Sequence, residues 1–165
     1  MIEPTTDGCR CPHCDQYMKL YKRKLNSGMA STLIRIFNWD KKHPDEYLQV
    51  KEHLRVKAYH NTHDWTLLRF WGLILPKNNK KDEKGSSGYW KITNKGRDFV
   101  IGNINVPTHI FHYNQKFYGY GKSNIDIKGG LGNRFSYAEL MGYPEPDVKV
   151  KQLQLMLRRR RPDKV

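Results

Sequence analysis

Two sets of residues could do chemistry in this sequence: three cysteines crowded near its start, and clusters of cations that would attract an anion. Cys9, Cys11 and Cys14 stand within a few positions of one another. Cysteines this close cannot staple distant parts of a fold, so they make no disulfide framework. Cys11-Pro12-His13-Cys14 has the spacing that lets two thiolates share one tetrahedral zinc ion. This is half of a site. With no second C-x-x-C in the chain, Cys9 and a histidine would have to complete it. His60 with His63, and His109 with His112, offer paired imidazoles. The second pair falls in a predicted strand, where an odd separation sends side chains to opposite faces. Free thiols in an N-terminal segment are the competing reading, and the fourth ligand is open.

The cations are more numerous. Lys and Arg total 30 against 16 Asp and Glu, a formal charge of +14 over 165 residues. So large an excess surrounds the folded chain with a positive field and selects an anionic partner. Nucleic acid, an acidic protein and an anionic membrane surface all satisfy that field. The densest cluster is Arg158, Arg159, Arg160 and Arg161, whose adjacent guanidiniums repel one another and gain from a polyanion. Lys22, Arg23 and Lys24 form a smaller basic run.

The chemistry of an enzyme is not visible. There is no convincing nucleophile with a base, no pair of carboxylates, and no glycine loop followed by the lysine that a phosphate site needs. His60, Asn61, His63 and Asp64 imitate the letters of a metal-finger nuclease, yet they sit at a predicted helix start. The expectation is a non-enzymatic protein. No run approaches the roughly 18 apolar residues of a membrane span, and Met1 to Arg10 lacks the apolar stretch of a signal peptide. A cytoplasmic location without membrane contact is expected.

The elements that must position these residues follow from periodicity. Met29, Leu33, Ile36 and Phe37 make one apolar stripe on a helix near 27–39, with Asn26 or Ser27 as its cap. Pro44, Asp45 and Glu46 read as the opening of a second helix, with Tyr47, Val50 and Leu54 on its buried face. A third helix follows, with Trp65, Leu68 and Trp71 on one side and Gly72 as its end. The period then changes: Leu73 to Leu75 and Gly88 to Thr93 read as strands around a lysine-rich loop, and Asn94 to Ile101 as a short helix with Thr93 or Asn94 as its cap.

Beyond Gly102, residues 108–113 and 116–120 predict a second hairpin through Asn114-Gln115. Ile125 to Ile127 adds a strand, Gly129 to Asn133 a turn, and Ser136 to Met141 a short helix with Ser136 as its cap. Tyr113, Phe117, Tyr118 and Tyr120 would suit base stacking on an exposed sheet, but burial in the core is the simpler use for such rings. The fold class expected is α+β. Its parts are an N-terminal cysteine segment over 1–25, a helical and hairpin domain over 26–102, a β-rich extension over 103–147 with a hairpin and short helix, and a basic tail over 148–165.

Two phrases, DWTLLRFWGLI over 64–74 and YWKITNKGRDF over 89–99, carry a resemblance. With them, the stretch 26–102 resembles the winged helix-turn-helix superfamily, particularly bacterial regulators of the multiple-antibiotic-resistance and phenolic-acid-decarboxylase types. The resemblance implies that the third helix enters the major groove of double-stranded DNA. His63, Thr66 and Arg69, with His60 and Asn61, would then face base edges, and Arg69 could pair with guanine through its fork. Lys77, Lys80, Lys81 and Lys84 on the wing would meet phosphate. A homodimer is common for such folds.

The whole chain, through Cys-Pro-x-Cys, VPTHIFHYNQ and FSYAELMG, also resembles small proteins of bacteriophage and prophage genomes. That likeness implies a phage or mobile-element regulator of transcription acting in a bacterial cytoplasm. The alternative it leaves open is an inhibitor that binds an acidic host protein or nucleoprotein complex, such as a component of host defence.

Overall fold

The computed structural model describes residues 3–54, 63–77 and 88–143. It is a mixed α+β fold of short helices and small antiparallel sheets around a single apolar cluster. An N-terminal ribbon pairs β1 (Cys9–Arg10) with β2 (Tyr17–Met18) and leads into β3 (Tyr21–Lys24). The basic run 22–24 is therefore strand, a state its lysines do not favour alone and which pairing with a later hairpin imposes.

The central element is α1 (Ser27–Lys42), three residues longer than the stripe predicted. Asn26 caps it by accepting a hydrogen bond from the Met29 amide at 2.9 Å, and Lys41 and Lys42 complement the negative end of its dipole. Met29, Leu33, Ile36 and Phe37 are buried as expected, and Ala30 and Ile34 join them, because other elements pack on several sides of this helix.

The second helix differs from expectation. Pro44 opens a turn instead, in which Asp45 takes a left-handed φ of 59° and the Glu46 amide donates to the His43 carbonyl at 3.2 Å. The chain then extends as β4 (Leu48–Gln49), and the helix α2 spans only Val50–His53 among the described residues. Two tertiary demands override the local signal: Asp45 reaches Arg97, and buried Leu48 pairs opposite Trp90.

A nine-residue 3₁₀ helix (His63–Trp71) replaces the third α-helix. Trp65, Leu68 and Trp71 recur at intervals of three, which is the period of a 3₁₀ helix and aligns all three on one face. All are buried, and the Trp71 indole donates to the Pro107 carbonyl at 2.6 Å. After Gly72 come β5 (Ile74–Pro76) and β6 (Tyr89–Ile92), which lies between β5 and β4 in the order β4-β6-β5.

Next comes α3 (Asn94–Val100), capped by Thr93. The Thr93 hydroxyl accepts from the Gly96 amide at 3.0 Å and donates to the Gly72 carbonyl, so one side chain both starts the helix and ties it to the end of the 3₁₀ segment. The extension holds β7 (Val106–Pro107), β8 (His109–Tyr113), β9 (Lys116–Tyr120) and β10 (Asn124–Ile125). The expected hairpin is present. Asn114 and Gln115 both have positive φ, as a two-residue turn matched to strand twist requires.

The strand expected over 125–127 ends at Ile125, and the expected glycine turn is a helix, α4 (Ile127–Leu131). Asp126 caps it by accepting from the Gly129 amide at 2.7 Å. One of its glycines serves proximity: a Cβ on Gly130 would lie 2.8 Å from Leu25 Cδ2 and 3.4 Å from Ala30, so a larger residue would have to push the buried Leu25 side chain aside where α4 meets α1. The described chain ends with α5 (Tyr137–Met141), capped by Ser136 as predicted. No helix among the described residues is long and apolar enough to cross a membrane.

Candidate nucleic-acid interface

At the foot of the β5–β6 connection, the Lys77 amide donates to the Tyr89 carbonyl at 2.9 Å, continuing the ladder past β5. The Lys77 ammonium lies 5.7 Å from the Tyr47 ring and 5.8 Å from the Tyr89 ring, and that of Lys91 lies 5.3 Å from Tyr47. Both cations are held by ring faces. Thr66 lines a cavity of about 260 Å³ with Trp65, Trp90, Gln49 and Lys51, beside the edge-on contact of the two indoles at 5.5 Å.

Arg69 occupies a different setting from Thr66. Its Nη2 donates to Gln115 Oε1 at 2.6 Å, and the guanidinium lies 4.8 Å above the Phe70 ring. The β8–β9 turn thus reaches back to the 3₁₀ helix. Around this contact the three-stranded sheet β3-β8-β9 presents a row of rings on one face. Tyr21 pairs opposite His112 and His112 opposite Phe117, so all three project to the same side. Tyr21 lies 6.1 Å from the His112 ring. Phe70 stacks on both His112, at 6.0 Å, and Phe117, at 6.1 Å. Tyr120 adds a contact of 4.7 Å to Phe117 and donates its hydroxyl to the Phe70 carbonyl at 2.9 Å.

Phe70 and His112 are partly buried at the centre of this row, and the rings around them are not core. Tyr21, Phe117 and Tyr120 are 49%, 41% and 44% exposed, and Tyr118 is 39% exposed, which corrects the expectation that the hairpin aromatics are buried. The cause is strand count: a three-stranded sheet has one packed region, filled here by Ile110, and its edge strands carry the remaining rings outward. Burial pushes the His112 imidazole below the usual histidine range, reinforced by Arg23 and Arg69 and opposed by Asp64. His109 is lowered by burial and then by Lys22 and Lys24.

The cysteines lie on the N-terminal ribbon. Cys9 stands in β1, and Cys11 begins a tight turn in which the Asp15 amide donates to the Cys11 carbonyl at 2.8 Å. Backbone amides of His13 and Cys14 and the Cys14 thiol hydrogen-bond to the Cys11 sulfur and lower its pKa. A turn that aims two amides at one thiolate suits zinc ligation by Cys11 and Cys14. Among the described residues no three His, Cys, Asp or Glu side chains gather around one point, so Cys9 does not converge with the other two.

The remaining residues singled out in the sequence lie largely outside the described structure. His60 and Asn61, the loop lysines Lys80, Lys81 and Lys84 expected on a wing, and Arg158, Arg159, Arg160 and Arg161 all fall there. His63 begins the 3₁₀ helix. Sequence reasoning missed Phe70, His112 and Gln115 as neighbours of Arg69, and Tyr21 as a neighbour of His112. Alternation in YKRK could have exposed the strand, but only the register with β8 brings Tyr21 to His112. No family model, no curated protein and no solved structure matches this chain.

Proposed function

We propose that this is a non-enzymatic nucleic-acid-binding protein that engages double-stranded DNA through a winged-helix unit, as a regulator of phage or mobile-element type. The observation that carries the reading is connectivity. The order α1, β4, α2, 3₁₀ helix, β5, β6, with the ladder β4-β6-β5, supports the reading, because a winged helix runs through helices and strands in this order; the connection 78–87 would then be its wing. Lys77 and Lys91 stand at the foot of that wing, where phosphates of a neighbouring backbone would pass. The net charge of +14 supplies the field, and the tail arginines would add a second anchor.

The reading predicts tight, strongly salt-dependent binding to random duplex DNA. Titration of duplex at low salt, followed by a salt series, tests it, and absence of duplex binding at low salt would overturn it. Binding to an acidic protein in place of DNA is the alternative such a result would favour, since winged helices also serve as adaptors.

A further inference from the structure

We infer that the Tyr21, His112 and Phe117 face of the β3-β8-β9 sheet, continued by Phe70 and Tyr120, is a stacking platform for the unpaired bases of single-stranded nucleic acid. Three observations meet here. The rings are contiguous, with neighbouring centroids 4.7 to 6.1 Å apart, and three of them leave two-fifths or more of their surface to solvent. The strands YKRK, HIFHY and KFYGY contain no carboxylate. Arg23, two positions from Tyr21 on the same face of β3, and Arg69, 4.8 Å over the Phe70 ring, place cations beside the row, where Asp64 is, among the described residues, the one carboxylate that acts on His112.

This combination selects its ligand. A polyanion alone would be met by lysines, and an apolar partner would not sit among arginines. Rings beside guanidiniums suit a chain that alternates phosphate with flat π-faces. Paired bases hide those faces inside the duplex, so the platform takes single strands. Phe70 belongs to the 3₁₀ helix, and its position over His112 fixes the platform against the body of the protein. The inference is separable from the duplex reading at Tyr21 and Phe117, which lie on sheet strands away from the β5–β6 connection, although Phe70 and Arg69 belong to the helix that the duplex reading places in the groove.

The test compares fluorescence anisotropy of the full chain with three labelled probes of about 12 nucleotides: oligothymidylate, the same backbone without bases, and a duplex of equal length. The expected result is that oligothymidylate binds at least tenfold tighter than the abasic strand. Tyr21→Leu and Phe117→Leu each weaken oligothymidylate binding by roughly tenfold and leave duplex affinity unchanged. Tyr143→Leu, at an exposed tyrosine beyond α5, changes neither. Equal affinity for the abasic and thymidylate strands overturns the inference, using unaltered protein and needing no folded variant. Variants that melt like the parent and bind oligothymidylate equally well overturn it too. Loss of the duplex arm alone counts against the winged-helix reading and not against the platform.

Discussion

Arg97 holds Asp40 in a two-pronged grip, with Nε donating to Oδ2 at 2.9 Å and Nη2 to Oδ1 at 3.0 Å, and so fastens α3 to the C-terminal half of α1. The side chain of Asp40 is 10% exposed and that of Arg97 28%. Its Nη2 also reaches Asp45 at 3.2 Å, fixing the turn ahead of β4. Removing Arg97 leaves a buried carboxylate without its partner, so Arg97→Ala is expected to destabilise by about 3 kcal/mol. Arg97→Lys keeps the charge but not the fork and is expected to recover only part of that. Urea denaturation checks both, and equal stability of the Lys variant and the parent would show that the fork geometry is unimportant.

Gly96 is the second constraint on this corner. A Cβ there would collide with the Leu73 carbonyl oxygen and lie 2.7 Å from Ile92 Cγ1. The first obstacle is backbone and cannot rotate away. Gly96→Ala, normally favourable inside a helix, is expected to destabilise by roughly 1–3 kcal/mol, read as a lower denaturation midpoint.

Both residues belong to the phrase TNKGR, which shows how much of the fold was legible. Where a local signal and a tertiary demand agreed, the element was readable: Asn26, Thr93 and Ser136 cap the helices their positions suggested. Where they conflicted, tertiary pairing won. Pro44-Asp45-Glu46 has helix-opening chemistry, but Arg97 claims Asp45 and the strand β6 claims Leu48. The interval of three among Trp65, Leu68 and Trp71 fits two helix types, and the sequence does not choose between them. Of the candidate site, Arg69 was visible as a cation, whereas its partner Gln115 comes from 46 positions away, and Phe117, which stacks on Phe70, depends on a register that no local pattern specifies.

Two backbone amides directed at the Cys11 sulfur favour its thiolate, so iodoacetamide is expected to alkylate Cys11 near neutral pH. Zinc held by this turn would protect Cys11 and Cys14 together and leave Cys9 reactive. Mass-spectrometric mapping of iodoacetamide adducts with and without zinc checks this; protection of Cys9 to the same degree would mean that the third thiol moves in to join the site.

Stability should depend on pH through His112 and His109. Both have folded pKa values below the ordinary histidine value of 6.5, His112 through burial and then Arg23 and Arg69, His109 through burial and then Lys22 and Lys24. Between the folded and unfolded pKa the unfolded chain binds more protons, so stability rises with pH in that interval. The contribution is complete above about pH 6.5 and is lost as pH falls through the folded values. Thermal melts from pH 7.5 down to pH 5 are expected to show a falling midpoint, and His112→Phe to flatten the profile. A profile unchanged by that substitution would place the titration elsewhere.

Arg69 has two roles to be separated, base reading and bracing of the β8–β9 hairpin through Gln115. If Arg69 is the guanine reader of the winged-helix proposal, its remaining N–H donors must turn to a base edge while the 2.6 Å bond to Gln115 competes for the orientation of the fork. Gln115→Ala removes the competing acceptor while leaving the charge, and it is expected to maintain or tighten binding to a duplex selected from random sequence. Arg69→Ala is expected to lower affinity for that selected duplex by about 1–3 kcal/mol while sparing binding to unselected duplex. Gel-shift titrations of the two variants against both duplexes give the answer. Opposite effects on the selected sequence support base reading; equal losses on both duplexes would make Arg69 a brace for the β8–β9 hairpin, with its value to binding lying in the position of the aromatic row it supports.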